Sequence, residues 1–421
     1  MDAPPETTES TVLSLGIDPL DLVEPARFAR NGYPHDVWTK LRAEAPVVYL
    51  EPPGHPSFWA VTRHTDIVEV ATQPQIFSNA KGITLDLDLS GFDQIVEMIV
   101  YLDPPRHSPM RKLAVRKFVK TAVRTRMEEI ERIATGIVDR ASTDGEIAEG
   151  DFVDQFAGPF PMAVISWVLG VPPDDWQRHF DWTNEIIGKD DPEYRRPGES
   201  PEETSARARG ELHRYFKQLI EERRAEPKDD LVTELLQSEI DGVPLTRQQL
   251  IAYCELLVEA GNQTTRDAIA GGMQAFCEHP DQWERLRADP DLLPGAVEEI
   301  LRWVSPISHF VRTATEDYEL RGQKIRAGDK VALYWASANR DEEIYEDPFE
   351  FRIDRAPAQS LVFGFGPHLC MGSHVARAEL EIMFGLLRAR LEWFEQAGPV
   401  ERLNSAVNGA IKHLPLRYRL R

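Results

Sequence analysis

Beyond residue 107 most of the chain repeats apolar residues at three- and four-residue spacing, the period that gathers them on one face of a helix. "AVRTRMEEIERIATGIVDRA" and "ARARGELHRYFKQLIEERRA" both carry it, and the longest such pattern runs over residues 245–278, with Thr246 as its predicted N-cap. Residues 45–80 read differently. "PVVYLEPP" and "SFWAVTRH" are short β-rich runs around a Pro/Gly turn and predict a small antiparallel sheet. A second β-rich section, with "YELRGQKIRAGDKVALYW", spans about 307–335. Between helices lie the breakers "GVPPDD", "KDDPEYRRPGESPEE" and "EPKDD"; the second is long and polar and is predicted to be mobile. Residues 1–30, rich in Pro and acids, read as a loose lead-in. No repeat and no Gly/Ser linker divides the rest, so one mainly helical domain over 31–421 is expected.

One stretch breaks the pattern from inside. "AGNQTT", residues 260–265, places Gly261 and two threonines mid-helix, where glycine weakens a helix and threonine back-bonding bends it. Either a kink without chemistry or a functional site explains it.

Composition narrows the class. The 421 residues are 42% hydrophobic, enough for a folded core. With 48 basic and 70 acidic residues the net charge is −22, which disfavours nucleic acid and anionic membrane surfaces as partners. Cys254, Cys277 and Cys370 make neither a disulfide framework nor a zinc spacing. "MDAPPETTESTV" lacks the features of a secretory signal, and the apolar "PMAVISWVLGV" is too short to span a bilayer. A cytoplasmic protein with no membrane segment is the expectation.

The chemistry concentrates in "LVFGFGPHLCMGSHVARAEL", residues 361–380. Cys370 sits among glycines, which allow close backbone approach, just before a helix whose N-terminal dipole favours a thiolate. A structural cysteine, a nucleophile with His368 or His374 as base, and a metal-ligating thiolate all remain open on these grounds; haem iron takes one such axial ligand.

The run Phe363-Gly364-Phe365-Gly366-Pro367-His368-Leu369-Cys370-Met371-Gly372 resembles the haem-binding signature of the cytochromes P450, Phe-Gly-x-Gly-x-His/Arg-x-Cys-x-Gly, at every specified position. The resemblance extends in order over most of the chain. It implies a mainly α, triangular prism-like single domain with small antiparallel sheets, binding haem b through Cys370. Phe363, Gly364 and Gly372 would pack the loop against it. "YLDPPRHSPMRK" resembles the opening of the helix that binds the haem propionates, which implies that role for His107 and Arg111. Arg312 in "FVRTATEDYEL" and His368 would join them; Arg and His donors suit carboxylates.

"AGNQTT" is similar to the family's Ala/Gly-Gly-x-Asp/Glu-Thr-Thr/Ser, so Ala260 and Gly261 would line the haem and Thr264 would order dioxygen and its water. Gln263 stands where the family has an acid. An amide can hold water but does not titrate. Glu259, one turn earlier, is a candidate replacement relay. Glu299 and Arg302, three apart on one helical face, match the family's buried structural pair. The arginine expected as their third partner is missing from "PFEF", and Arg352 is the candidate substitute.

Residues 106–126 carry eight basic residues and no acid. In the family this segment faces electron donors, so a separate ferredoxin, itself reduced by a ferredoxin reductase, would dock near Lys112, Arg116 and Lys117. By the same analogy Ile83, Leu85, Leu87, Phe92, Met98, Leu257, Ile307, His309, Phe310 and Val407 would line an apolar pocket for a terpenoid, steroid or fatty substrate. His309 is the polar exception and reads equally as a core histidine. The resemblance thus implies a dioxygen-dependent monooxygenase that hydroxylates a lipophilic molecule. Gln263 keeps a peroxygenase, coupling or isomerisation reading open, and a non-catalytic haem-binding or sensor protein is the alternative from another class.

Overall fold

In the computed structural model, which describes residues 14–87, 97–356 and 359–421, the two β-rich sections form one sheet. Strands β1 (Val47–Leu50), β2 (Phe58–Val61) and β3 (Phe77–Ser78) come from the first section. Strand β4 (Ala148–Asp151) belongs elsewhere, and β5 (Phe310–Ala314) and β6 (Lys330–Leu333) come from the second. The order is β1-β2-β6-β5-β3. β1 and β2 are antiparallel, with Val48 opposite Ala60, whereas β6 runs parallel to β2 with Ala332 opposite Ala60. The sheet is therefore mixed rather than purely antiparallel, and β2 and β6 are buried along their length. A second sheet joins β4 to β7 (Leu391–Gln396) and β8 (Pro415–Leu420) in the order β7-β8-β4.

The longer helices, labelled in chain order, are α1 (His107–Phe118), α2 (Met127–Arg140), α3 (Pro159–Leu169), α4 (Trp176–Ile187), α5 (Pro201–Ala225), α6 (Arg247–Glu278), α7 (Leu293–Val304) and α8 (Ser373–Arg390). α6, 32 residues and roughly 48 Å long at 1.5 Å per residue, is the central strut. Its start is the predicted Thr246, in a reciprocal capping box with Gln249. Helix continues unbroken through 260–265. The Thr264 hydroxyl does back-bond the Ala260 carbonyl at 2.9 Å. Packing overrides the propensity: a Cβ on Gly261 would lie 3.0 Å from Ile165 of α3, so the small residue is the condition for a close helix crossing. Phe156, Phe160, Met273, Phe276, Ile300, Phe384 and Leu387 build the core where α3, α6, α7 and α8 meet.

Two segments expected to be loose make firm contacts where they are described. Ile17, Leu22 and Val23 are buried with Trp38, Leu41 and Phe58, so the lead-in packs on the core from Ile17 onward. The polar segment 188–200 is anchored by charge: Asp191 meets Lys412 at 3.2 Å, and Glu193 meets Lys412 at 2.8 Å and His413 at 2.9 Å. No described helix is long and apolar enough to cross a membrane.

Glu299 and Arg302 form a fully buried pair, joined by hydrogen bonds of 2.7 and 2.8 Å. Arg352 is not the third side chain. It gives Glu299 only its backbone N–H, at 2.8 Å, while its guanidinium turns to Asp347. The chain turns at 352–355, and Arg355 brings its Nε to 3.1 Å from Glu299.

Candidate active site

The Cys370 loop is built by its glycines. Gly366 takes φ 73° and passes so close to the helix His64–Ala71 that a Cβ would meet the Ala71 carbonyl at 2.3 Å. Gly364, at φ 72°, closes the turn from Leu361. The Cys370 N–H then donates to the Phe363 carbonyl at 2.8 Å, which fixes the residue just ahead of α8. The Arg377 guanidinium lies over the Phe363 ring at 4.5 Å. Burial pushes the Cys370 thiol up, and the N–H groups of Gly372 and Ser373 together with Arg111 and Arg377 pull it back. The side chain is nonetheless accessible. So is Ala260, midway along the otherwise buried α6, and Thr264 is half-buried. Accessible positions inside the core mark the walls of a cleft.

A cluster of basic side chains adjoins this loop, with Asp103 the acid whose charge acts on it. His107, at the start of α1, lies ring to ring with His368, centroids 4.2 Å apart. His107 Nδ1 and His368 Nε2 are both buried with no hydrogen-bond partner among the described residues. Arg312 on β5 is buried and, among the described residues, donates to the Val311 carbonyl alone, at 2.9 Å. Arg111, one turn after His107, donates to the Leu369 carbonyl at 2.6 Å. Burial and then the charges of Arg312, His107 and Arg111 depress His368 to about 3, and burial lowers Arg312 to about 10. Two imidazoles and two guanidiniums converging with spare buried donors fit a ligand carrying carboxylates. With an accessible sulfur at a helix N-terminus, this donor set fits haem b.

On α6, Gln263 is buried and turned towards α4. Its Nε2 donates to Asp267 Oδ1 at 2.8 Å, and its Oε1 accepts from Arg266 at 2.5 Å. Arg266 also reaches Asn184 at 2.8 Å, and Asn262 bonds Thr183 at 3.0 Å. Sequence reasoning missed Asp267 and Arg266, although the four-residue step from Gln263 to Asp267 was the available signal. Glu259 is already engaged by Arg209 of α5 at 2.8 Å, which leaves it poorly placed as a relay.

Three of the segments expected at the pocket touch one another through their backbones. Ser308 N–H donates to the Val407 carbonyl at 2.7 Å, Ile307 bridges Asn408, and Val311 N–H donates to the Ile83 carbonyl at 2.8 Å. Leu87, Met98, Ile307, Phe310 and Val407 are half-buried, and Leu257 and Ile83 nearly covered. Two residues are turned away. Leu85 packs in the core with Val48 and Phe58, and His309 is buried, bonded to Ser308 at 2.7 Å and facing the Tyr334 ring at 4.8 Å. Phe92 lies outside the described residues. On the basic face Lys112, Arg116, Lys120 and Arg124 are exposed, while Lys117 is paired with Glu234.

The profile of the family "Cytochrome P450" matches residues 195–416. The linalool 8-monooxygenase of Pseudomonas putida is 35% identical over 94% of this chain and 97% of its own. The steroid C26-monooxygenase of Mycobacterium tuberculosis is 35% identical over 97% of this chain and 95% of its own. A cytochrome P450 crystal structure from Novosphingobium aromaticivorans superimposes with a TM-score of 0.86 at 33% identity, covering 96% of this chain and 98% of that one. Similarity along the whole length, on a fold that already presents the cysteine loop and its basic cluster, has one meaning: the chain belongs to the cytochrome P450 family and is a monooxygenase that uses haem b.

Proposed function

We propose that this enzyme hydroxylates a lipophilic terpenoid, steroid or fatty compound, using dioxygen and electrons from a separate ferredoxin and its reductase. The observation that carries the reading is the accessible Cys370 beside a basic cluster whose His107 Nδ1 and His368 Nε2 are buried with no partner among the described residues. The substrate class rests on what similar enzymes are named for: linalool, a steroid, and a methyl-branched lipid. Overall, substrate, dioxygen, two electrons and two protons give the alcohol and water.

Haem b held through Cys370 supplies the power to insert oxygen into a C–H bond, helped by electron donation from the thiolate. The chain's own residues do the rest. His107, Arg111, Arg312 and His368 would hold the cofactor's carboxylates. Gly372 and Ser373 direct N–H groups at the sulfur and tune its basicity. The Thr264 hydroxyl, its proton given to Ala260, keeps a lone pair to accept from water in the cleft. Half-buried Ile307, Phe310 and Val407 offer apolar walls that exclude bulk water from a bound substrate.

Gln263 favours a second reading with the same cofactor, in which peroxide serves better than dioxygen and electrons. Comparing ferredoxin-driven with peroxide-driven turnover separates the two. Screening lipophilic compounds for the spin-state shift that accompanies binding tests the main reading. A terpenoid, steroid or fatty acid that shifts the spectrum and is hydroxylated supports it; no shift and no substrate-dependent oxygen use would overturn it.

A further inference from the structure

We propose that the acid which supplies protons in this enzyme is Asp267, one helical turn beyond Gln263, held in place by Gln263 and acting by way of water and Thr264. The inference deepens the monooxygenase reading above and rests on it.

At about 100° per residue, Asp267 lies roughly 40° round α6 from Gln263 and 60° from Thr264, so it sits between them one turn along. Its Oδ1 accepts from the Gln263 amide at 2.8 Å, while its Oδ2 is buried with no partner among the described residues. A buried carboxylate oxygen with no donor is costly; the neutral acid, with a proton there to donate, avoids that cost. Gln263 is held in one orientation: Arg266 binds its Oε1 at 2.5 Å and is itself held by Asn184, so the amide N–H must face Asp267. Amide and acid thus form one hydrogen-bonded pair, with the acid at 267 rather than at 263.

The charged surroundings suit a group that titrates near neutrality. Burial raises the Asp267 carboxyl to about 7 against the opposing charge of Arg266. α4 presents neutral groups to this stretch: Thr183, Asn184 and the Phe180 ring. Arg266 also acts on Asp154 in the turn before α3 and on Tyr194 in the 188–200 segment, and Asp267 acts on Tyr33, which bonds the Ser305 carbonyl at 2.6 Å. From α8 the nearby buried acid is Glu379, bonded to Thr265.

In the step proposed, neutral Asp267 releases its proton to water, and that water passes one of its own towards the Thr264 hydroxyl. The carboxylate left behind is held by Gln263 and Arg266 and regains a proton from solvent. Two protons travel this way for each dioxygen reduced, with the two electrons coming from the ferredoxin.

The test uses Asp267→Asn, and Gln263→Glu combined with Asp267→Asn, in the holoenzyme. Product per electron should fall at least about tenfold in Asp267→Asn, and its pH dependence between about 6 and 8 should flatten. The double variant returns one acid to the same pair and should recover to within about threefold of wild type. Independently, the wild type should show an infrared carboxyl band that titrates near pH 7, shifts in D₂O and is missing in Asp267→Asn; Glu255→Gln, Glu259→Gln and Glu379→Gln, each in turn, identify any band from the other buried acids that burial raises. Unchanged product per electron in Asp267→Asn overturns the proposal. So does a well-folded double variant without recovery, or the absence of the titrating band. If Asp267→Asn does not fold, the double variant and the infrared band still decide. A wild type that uses no oxygen in response to substrate sinks the monooxygenase reading instead, and the band alone then judges Asp267.

Discussion

Among the described residues Arg312, buried on β5, has the Val311 carbonyl as its hydrogen-bond partner and Asp103 as the acid acting on it, beside two histidines that each keep a buried nitrogen unbonded. Such a residue has a ligand to hold. A hydrogen bond to a charged group contributes about 1.5–3 kcal/mol. Arg312→Leu should therefore weaken haem retention by roughly tenfold or more, measured by transfer of haem to an acceptor protein, while leaving the fold intact. Retention equal to wild type would remove Arg312 from the cofactor site. The histidine pair was legible because each member sits in a local motif. The Gln263–Arg266–Asp267–Asn184 network was not, because Asn184 joins it from another helix and only packing brings the two together.

Elements are joined by charges that sequence spacing does not reveal. Glu299 and Arg302 share a helical face and were readable; Arg355 arrives only through the turn at 352–355. Removing one member of a buried pair costs about 3–5 kcal/mol. Glu299→Gln should lower the melting temperature sharply, and Arg355→Ala should destabilise much more than Arg352→Ala. The reverse ranking would contradict the assignment.

Segment 188–200 is held in a similar way. His413 faces Asp151 with one ring nitrogen, at 2.7 Å, and Glu193 with the other, at 2.9 Å. Only the doubly protonated ring can donate to both. Burial opposes that cation, but Asp151 and Glu193 prevail and the His413 pKa is raised. The contribution is present below the ordinary value of about 6.5 and is lost as pH rises through the elevated one. Hydrogen exchange in 188–200 should speed up on that rise, and Lys412→Ala should speed it at every pH. Exchange indifferent to both would show that these ion pairs do not hold the segment.

Across the whole molecule, a net charge of −22 coexists with an exposed basic strip on α1 and the residues after it. Steering by such a patch depends on ionic strength. Arg116→Glu with Lys112→Glu should slow reduction by an acidic ferredoxin strongly at low salt and little at high salt, in stopped-flow measurements. Lys117→Glu should act less simply, because Lys117 already answers Glu234. An equal effect at both salt levels would argue against docking there. At this scale the sequence told the fold class through helical periodicity and one dense ten-residue motif. It could not tell that two β-rich sections, more than two hundred residues apart, share one sheet through the parallel pairing of β2 with β6. It also could not tell that 188–200 is tethered, since Lys412 and His413 come from the far end of the chain.

The account depends on Cys370 as the sulfur that ligates haem iron. The most direct measurement is the absorbance of the reduced, carbon monoxide-bound protein. The strongly red-shifted band of a thiolate-ligated haem is predicted for the wild type, and its loss for Cys370→Ala. A wild type without that band, or a Cys370→Ala protein with an identical spectrum, would contradict it.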